Sequence, residues 1–436
     1  MSDKRPNVVV FITHDTGYHT SPYGYDTVHT PNAERLAAEG VRMANSFCTS
    51  PLCSPSRACL FTGRFPHQNG VMGLTGDQVG GFDFFPGEQH ASLIFSRAGY
   101  QSVLCGFEHE SRHVAELGFG DLINGNGTWY NSGGDLPDHG KAIGDWLSQR
   151  DKHHPFYMQI GCGETHRAWL KNGVEPDESQ GVWMPPYLKD EPELRREMAE
   201  FQGSVRHLDA GLGNILDAFD DPEVKDNTIF VFTTDHGIDF PRAKGTMFDP
   251  GIGVFLFIRW PAGGLEAGRT CGELVSNVDL LPTLLEACGI PRRDNLAGRS
   301  YLPLLQNAPY ESNECVFAEK TYHDTYEPVR AVRTKRHKYI RRFEVALMED
   351  IRLATFTRAQ WMHQPLRRND EELYDLETDP WEMNNLAAES AYAGEVDAMQ
   401  RRLIRWMRRT NDPLLRGPVP SPYYRHRLEQ LMELET

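Results

Sequence analysis

Seven consecutive residues, Asn7–Thr13 (NVVVFIT), are almost wholly apolar, and runs of this kind alternate with amphipathic stretches through about the first 300 residues. A strand with apolar side chains on both faces has to be covered on both faces. The alternation therefore predicts an α/β fold: a large, mostly parallel central sheet flanked by helices. Gln101–Cys105, Pro155–Ile160 (PFYMQI), Val254–Ile258 and Thr228–Thr234 (TIFVFTT) read as further strands. One helix runs to Glu39, with Thr30 as its cap, Pro31 at its first position and Gly40 as its stop. Others are read at Ala91–Ala98, at Glu193–Phe219 with Pro192 in the first turn, and at Asp279–Ala287.

Near residue 300 the texture changes. Val329–Tyr339 and Leu373–Leu376 predict short strands of an antiparallel sheet, and Ala391–Arg409 predicts a C-terminal helix. The reading divides the chain into a larger domain, residues 1–310, and a smaller one, residues 311–436. The last stretch, Gly417–Thr436, is Pro-rich and then charged. It reads either as a surface for a partner subunit in a homo-oligomer or as a loose tail.

Lys and Arg number 45 against 61 Asp and Glu, a formal charge of −16. That balance argues against non-specific nucleic-acid binding. An anionic substrate stays compatible, because a few local cations can reverse the field inside a pocket. The basic run Arg333–Arg342 reads as a solvated face in so acidic a chain. No run of 18 apolar residues occurs, so no membrane partner is expected, and no signal peptide is read at the start. The expectation is a soluble cytoplasmic protein. The eight cysteines contain no C-x-x-C pair and read as buried thiols, with one exception.

That exception is Cys53, in Cys53-Ser54-Pro55-Ser56-Arg57-Ala58-Cys59-Leu60-Phe61-Thr62-Gly63-Arg64. Ser54-Pro55 suits a helix start and Gly63 a stop, which places Cys53 at a helix N-terminus where negative charge is favoured. Arg57, one turn on, can point back at the same spot. From the residues alone two readings stay open: an anion-binding nucleophile, or a buried cysteine ahead of an ordinary helix.

C-x-P-S-R followed by T-G-R resembles the signature of the type I sulfatases, members of the alkaline phosphatase superfamily. The resemblance extends in order over nearly the whole chain. Asn7–Gly17 (NVVVFITHDTG) and Thr233–Gly237 (TTDHG) are similar to the two metal-binding turns; Gly106–His109, Glu164–His166 and Lys244–Thr246 are similar to segments around the sulfate. Val275–Leu285 and Leu373–Ala387 resemble later structural stretches. Cys53–Leu74 and Asp235–Pro241 look closest to the N-sulfoglucosamine sulfohydrolase (sulfamidase) branch.

The resemblance implies an alkaline-phosphatase-like sandwich with a smaller C-terminal domain carrying a short antiparallel sheet and a helix. It implies that a maturation enzyme oxidises Cys53 to formylglycine, whose hydrate supplies one hydroxyl as nucleophile and another that later expels the sulfate. It assigns one divalent metal to His14, Asp15, Asp235 and His236 together with the modified Cys53. Arg57, Lys244, His109 and His166 would surround the sulfate, with His166 or Lys244 as the leaving-group acid and His109 as the base. The implied substrate is a small sulfated or sulfamated molecule, with His67 and Gln68 reading its leaving group. Trp169, Trp183 and Tyr187 form a pocket wall or simply pack under a loop.

Three positions depart from the family pattern. His14 stands where an aspartate is usual, and His236 where an asparagine is common. Imidazole suits Mn²⁺, Zn²⁺ or Fe²⁺ better than the family's Ca²⁺, unless His14 yields its place to water. Phe107 stands where a lysine is usual, so the pocket has one cation fewer. These departures keep open a phosphonate monoester or phosphodiester hydrolase with the same nucleophile. The non-enzymatic alternative is a binding protein whose Cys53 is never matured, against which the intact Cys53-x-Pro55-x-Arg57 tag argues.

Overall fold

The computed structural model describes residues 5–76, 80–128, 136–266, 268–323, 325–344 and 369–433. Residues 1–4, 345–368 and 434–436, parts of the two expected domains and of the tail, lie outside the described residues. Strands β1 (Asn7–Thr13), β2 (Val41–Phe47), β3 (Gln101–Phe107), β4 (Asp121–Gly127), β5 (Phe156–Gly161), β6 (Thr228–Thr234), β7 (Leu256–Arg259) and β8 (Arg269–Ser276) form one sheet in the order β4-β3-β5-β1-β6-β7-β2-β8. Every pairing is parallel except those of β7 with β6 and β2.

The burial of β1 explains its composition. Val8, Val10 and Ile12 pack on one side with the Ala91–Arg97 and Leu280–Ala287 helices. Val9 and Phe11 pack on the other with the Pro31–Glu39, Pro137–Gln149 and Pro192–Ala218 helices. No position on the strand faces water, so none can be polar without a buried partner. The cap expected of Thr30 is supplied from elsewhere: the Asp209 carboxylate accepts the Asn32 and Ala33 N–H groups at 3.0 and 2.8 Å.

Strands β9 (Cys315–Tyr322), β10 (Tyr326–Thr334), β11 (His337–Arg342) and β12 (Glu371–Asp375) form an antiparallel sheet in the order β12-β11-β10-β9. The stretch expected as one strand, Val329–Tyr339, is a hairpin turning at Lys335-Arg336. Val316, Val329 and Ile340 of this sheet share a core with Phe47, Phe248 and Leu274 of the large-sheet region. The Ala393–Arg409 helix buries Val396, Met399, Leu403 and Trp406. Among the described residues no helix is long and apolar enough to cross a membrane.

The basic run Arg333–Arg342 is only in part the solvated face that its charge predicts: Lys335 and Arg336 are exposed at the hairpin turn, but others are not. Lys338 is fully buried between Asp249 (2.5 Å) and Glu382 (3.0 Å), and Arg333 reaches Asp249 at 3.0 Å. Burial would raise the Asp249 carboxyl, but Lys338 and Arg333 outweigh it and bring it from 3.8 down to about 2. Stability from a depressed carboxyl is present above its unfolded value and lost as the pH falls through its folded value. The midpoint of urea unfolding should therefore fall more steeply from about pH 4 toward 2 in the native chain than in Asp249→Asn. Parallel curves for the two proteins would exclude this role for Asp249.

Candidate active site

Strands β1, β3, β5 and β6 are parallel, so their carboxyl ends open on one edge of the sheet. Each expected polar segment begins at such an end: His14-Asp15 after β1, His109 after β3, His166 after β5 and Asp235-His236 after β6. The loop after β2 leads to the Cys53–Thr62 helix, whose first residue is Cys53. Leu52, not Ser54, holds the cap position and makes no side-chain capping bond. The Asn277 amide instead fixes the helix start, donating to the Ser56 carbonyl at 3.0 Å. Gly237 lets the β6 turn pass the chain at Pro250, where a Cβ would come within 1.8 Å of a carbonyl oxygen.

One carboxylate stitches the two strand-end turns together. Asp235 Oδ1 accepts the N–H groups of Asp15 (2.9 Å) and His236 (2.8 Å). Its Oδ2 faces His14 Nδ1 at 2.9 Å and accepts from Arg57 Nε at 3.2 Å. Asp15, in the left-handed region at φ +43°, accepts from Lys244 Nζ at 2.6 Å and lies 3.2 Å from His236 Nε2. Cys53 Sγ is 3.3 Å from His236 Nε2 and 4.0 Å from Asp15 Oδ1. Donor atoms of His14, Asp15, Cys53 and Asp235 all lie within 4.8 Å of one another, as do those of His14, Cys53 and His109.

His14, Asp15, Cys53, Arg57, Asp235 and His236 are at most 3% exposed, and Lys244 is 6% exposed. His109 and His166 are only partly buried and mark the side open to solvent. The His166 and His109 rings lie 5.5 and 5.6 Å from that of His14. Phe107 stacks on His14 at 5.6 Å and lies beneath the Arg57 guanidinium at 5.6 Å, so the position lacking a cation carries an aromatic platform.

Two buried carboxylates dominate the field here. Burial and Arg57 push His14 down, but Asp235 and Asp15 outweigh them and raise its imidazole to about 10. Burial opposes the charge on His236 as well, and Asp235 and Asp15 raise it to about 9. Burial would raise the Cys53 thiol, yet Lys244 and His236 hold it well below the usual thiol range. Burial and then Lys244 bring His166 down to about 4. Carboxylates that draw protons onto two buried imidazoles have the charge a divalent cation would neutralise, and the nitrogen and oxygen donors suit one. The residues therefore fit a metal. Arg57 Nη1 is buried without a hydrogen-bond partner among the described residues, a donor left over for an anionic oxygen.

His67 and Gln68 are not brought into this group. The His67 Nδ1 and backbone N–H both meet the buried Glu319 carboxylate, at 2.5 and 2.9 Å. Gln68 Oε1 accepts the Phe65 N–H at 3.1 Å. Glu319 belongs to β9, and a buried carboxylate there needs a partner, which the imidazole and Arg330 supply. Arg330 in turn pairs with Asp412 at 2.6 Å, so the His67–Glu319–Asp412 cluster is a charge network already holding a cation. Trp169 and Tyr187 are buried and Trp183 partly so, all in one cluster with Phe201 and Phe240, which favours packing over a pocket wall. The sequence reading missed Glu108 and Glu110, both buried in the turn that carries His109. Two carboxylates flanking a histidine at a strand end were the available signal.

A sulfatase family model matches residues 6–290, and a model for the C-terminal part of N-sulphoglucosamine sulphohydrolase matches residues 240–409. An ulvan-active sulfatase of Formosa agariphila is 28% identical over 96% of this chain and 83% of its own length. Human N-sulphoglucosamine sulphohydrolase is 25% identical over 94% of this chain and 92% of its own. Among solved structures, a protein in complex with its substrate D-glucosamine-2-N,6-O-disulfate superposes with a TM-score of 0.73 at 22% identity, over 95% of this chain and 99% of that one. The phosphonate monoester hydrolase of Agrobacterium radiobacter gives 0.72 at 20% identity, over 93% and 96%. With the signature helix and both strand-end turns meeting at one buried centre, the chain belongs to the sulfatase family, hydrolases of sulfate esters that generally use a formylglycine and a divalent metal.

Proposed function

We propose that this chain hydrolyses a sulfate ester or sulfamate on a small sugar, using formylglycine made from Cys53 by a maturation enzyme. The observation that carries the reading is the position of Cys53: buried at a helix N-terminus, 3.3 Å from His236 and within 4.8 Å of donors on His14, Asp15 and Asp235. His14, Asp15, Asp235 and His236 would hold the metal, which when bound supplies Lewis acidity and favours an ionised oxygen nucleophile. Two imidazoles in the donor set favour Mn²⁺, Zn²⁺ or Fe²⁺ over Ca²⁺.

The remaining side chains bind the anion and move protons. The free Nη1 of Arg57 and the Lys244 ammonium face charge on the nonbridging sulfate oxygens. His109, against Cys53, is placed to take the nucleophile's proton. Burial opposes the charge on Lys244, but the adjacent Asp15 carboxylate outweighs it and favours the ammonium, whereas burial and Lys244 bring His166 down to about 4. That favours Lys244 over His166 as the leaving-group acid. The partly buried side at His109 and His166 is where the sugar would enter. The sulfamated sugar is supported by the names of the human relative and the solved complex.

Phe107 favours one second reading. An aromatic ring between Arg57 and His14 leaves the pocket a cation short, and a phosphonate monoester, with two nonbridging oxygens against the three of a sulfate ester, asks for one contact fewer. Turnover of an aryl sulfate, N-sulfoglucosamine and a phenyl phosphonate ester by fully matured protein separates the two. The expected order puts kcat/KM for the sulfate or sulfamate above that for the phosphonate. A phosphonate ester turned over fastest would select the second reading and sink the first.

A further inference from the structure

The turn that carries His109 is held by its two neighbours. Glu110 Oε2 accepts the His109 N–H at 2.8 Å. Glu108 Oε2 accepts the N–H groups of Glu110 and Ser111 at 2.8 and 2.9 Å. Glu110 is fully buried and Glu108 is 4% exposed. The other oxygen of Glu110 is gripped from two separate elements. It accepts from Gln159 Nε2 on β5 and lies 3.3 Å from Nε2 of His90, the cap of the Ala91–Arg97 helix. Glu110 therefore ties the His109 backbone to the neighbouring strand and to a helix start. The ring beyond this backbone is partly buried, with a nitrogen close to Cys53 Sγ.

We infer that Glu110 is a positioning residue for the reaction: its carboxylate fixes the backbone of His109 and thereby aims the imidazole at residue 53. The inference rests on the proposed catalytic role of His109. A carboxylate is required because both oxygens must accept. Gln at 110 would turn an N–H₂ toward either the His109 N–H or His90 Nε2, which carries the ring proton because Nδ1 accepts the Ser92 N–H, and one donor would face another. A misaimed base loses rate while the anion-binding side chains stay in place, so kcat falls and KM does not.

The test is a double-mutant cycle on matured enzyme with His109→Ala and Glu110→Gln. In the native background Glu110→Gln should lower kcat by about 10–100-fold with KM little changed. In the His109→Ala background the same substitution should have no further effect. An equal loss in both backgrounds, or native kcat in Glu110→Gln, would overturn the inference. Should Glu110→Gln not fold, Gln159→Met removes one grip on Glu110 without touching the turn. It should show a smaller loss with the same dependence on His109, and an additive loss there overturns the inference equally. Native activity in His109→Ala itself would instead remove the catalytic role of His109, on which the inference depends.

Discussion

Cys53→Ala should keep the fold and lose turnover by about four to six orders of magnitude, the scale on which removing a covalent nucleophile acts. The fold should tolerate it because Ala is the best helix former and the thiol fills little space at the first residue of the Cys53–Thr62 helix. The activity should not, because Cys53 is the thiol whose sulfur lies within 4.8 Å of donors on His14, Asp15 and Asp235. Steady-state rates on matured protein measure the loss, and thermal unfolding checks the fold. Mass analysis of the peptide containing residue 53 supplies the companion result. The native chain coexpressed with the maturation enzyme should carry a residue lighter than cysteine by one sulfur and two hydrogens less one oxygen. Unmodified cysteine in every molecule would leave the binding-protein alternative standing, whereas full activity in Cys53→Ala would remove residue 53 as the nucleophile.

Asp235→Ala should empty the centre. This carboxylate faces His14 and Arg57 and accepts the N–H groups of Asp15 and His236, so its loss would remove a proposed metal ligand and release both turns. Metal content by mass spectrometry should fall from about one ion per chain to near none. Activity should fall about a thousandfold or more, the equivalent of several kcal/mol of charge stabilisation. Binding to the folded state raises Tm, so Mn²⁺ or Zn²⁺ should stabilise the metal-stripped native chain and leave the variant unchanged. Undiminished metal in Asp235→Ala would remove it from the ligand set. A larger Tm rise with Ca²⁺ than with Mn²⁺ or Zn²⁺ would refute the preference for a transition metal while leaving the site itself intact.

The chemistry was legible where it lay in contiguous residues next to a strongly patterned element. β1 and β6 announce themselves because both of their faces are apolar, and a polar pair directly after each lands on the same edge of a parallel sheet. The signature helix is local too, from Cys53 to Gly63. Weaker elements escaped. β4, DLINGNG, lies at the sheet edge with most of its residues at least partly exposed and two glycines, so it carries no apolar run. β2, VRMANSF, alternates too weakly to separate from a loop.

What the sequence determined by itself was periodicity and order: which segments alternate, which face is apolar, and which polar residues follow which strand. Tertiary structure alone decided the fate of the charges. Arg330 is buried because Asp412 meets it from 82 residues away, Lys338 because Asp249 and Glu382 enclose it, and His67 because Glu319 claims its imidazole. Whether an ionic side chain is solvated, buried or catalytic depends on the partner that offsets its desolvation. That partner comes from a distant part of the chain, and no local pattern records it.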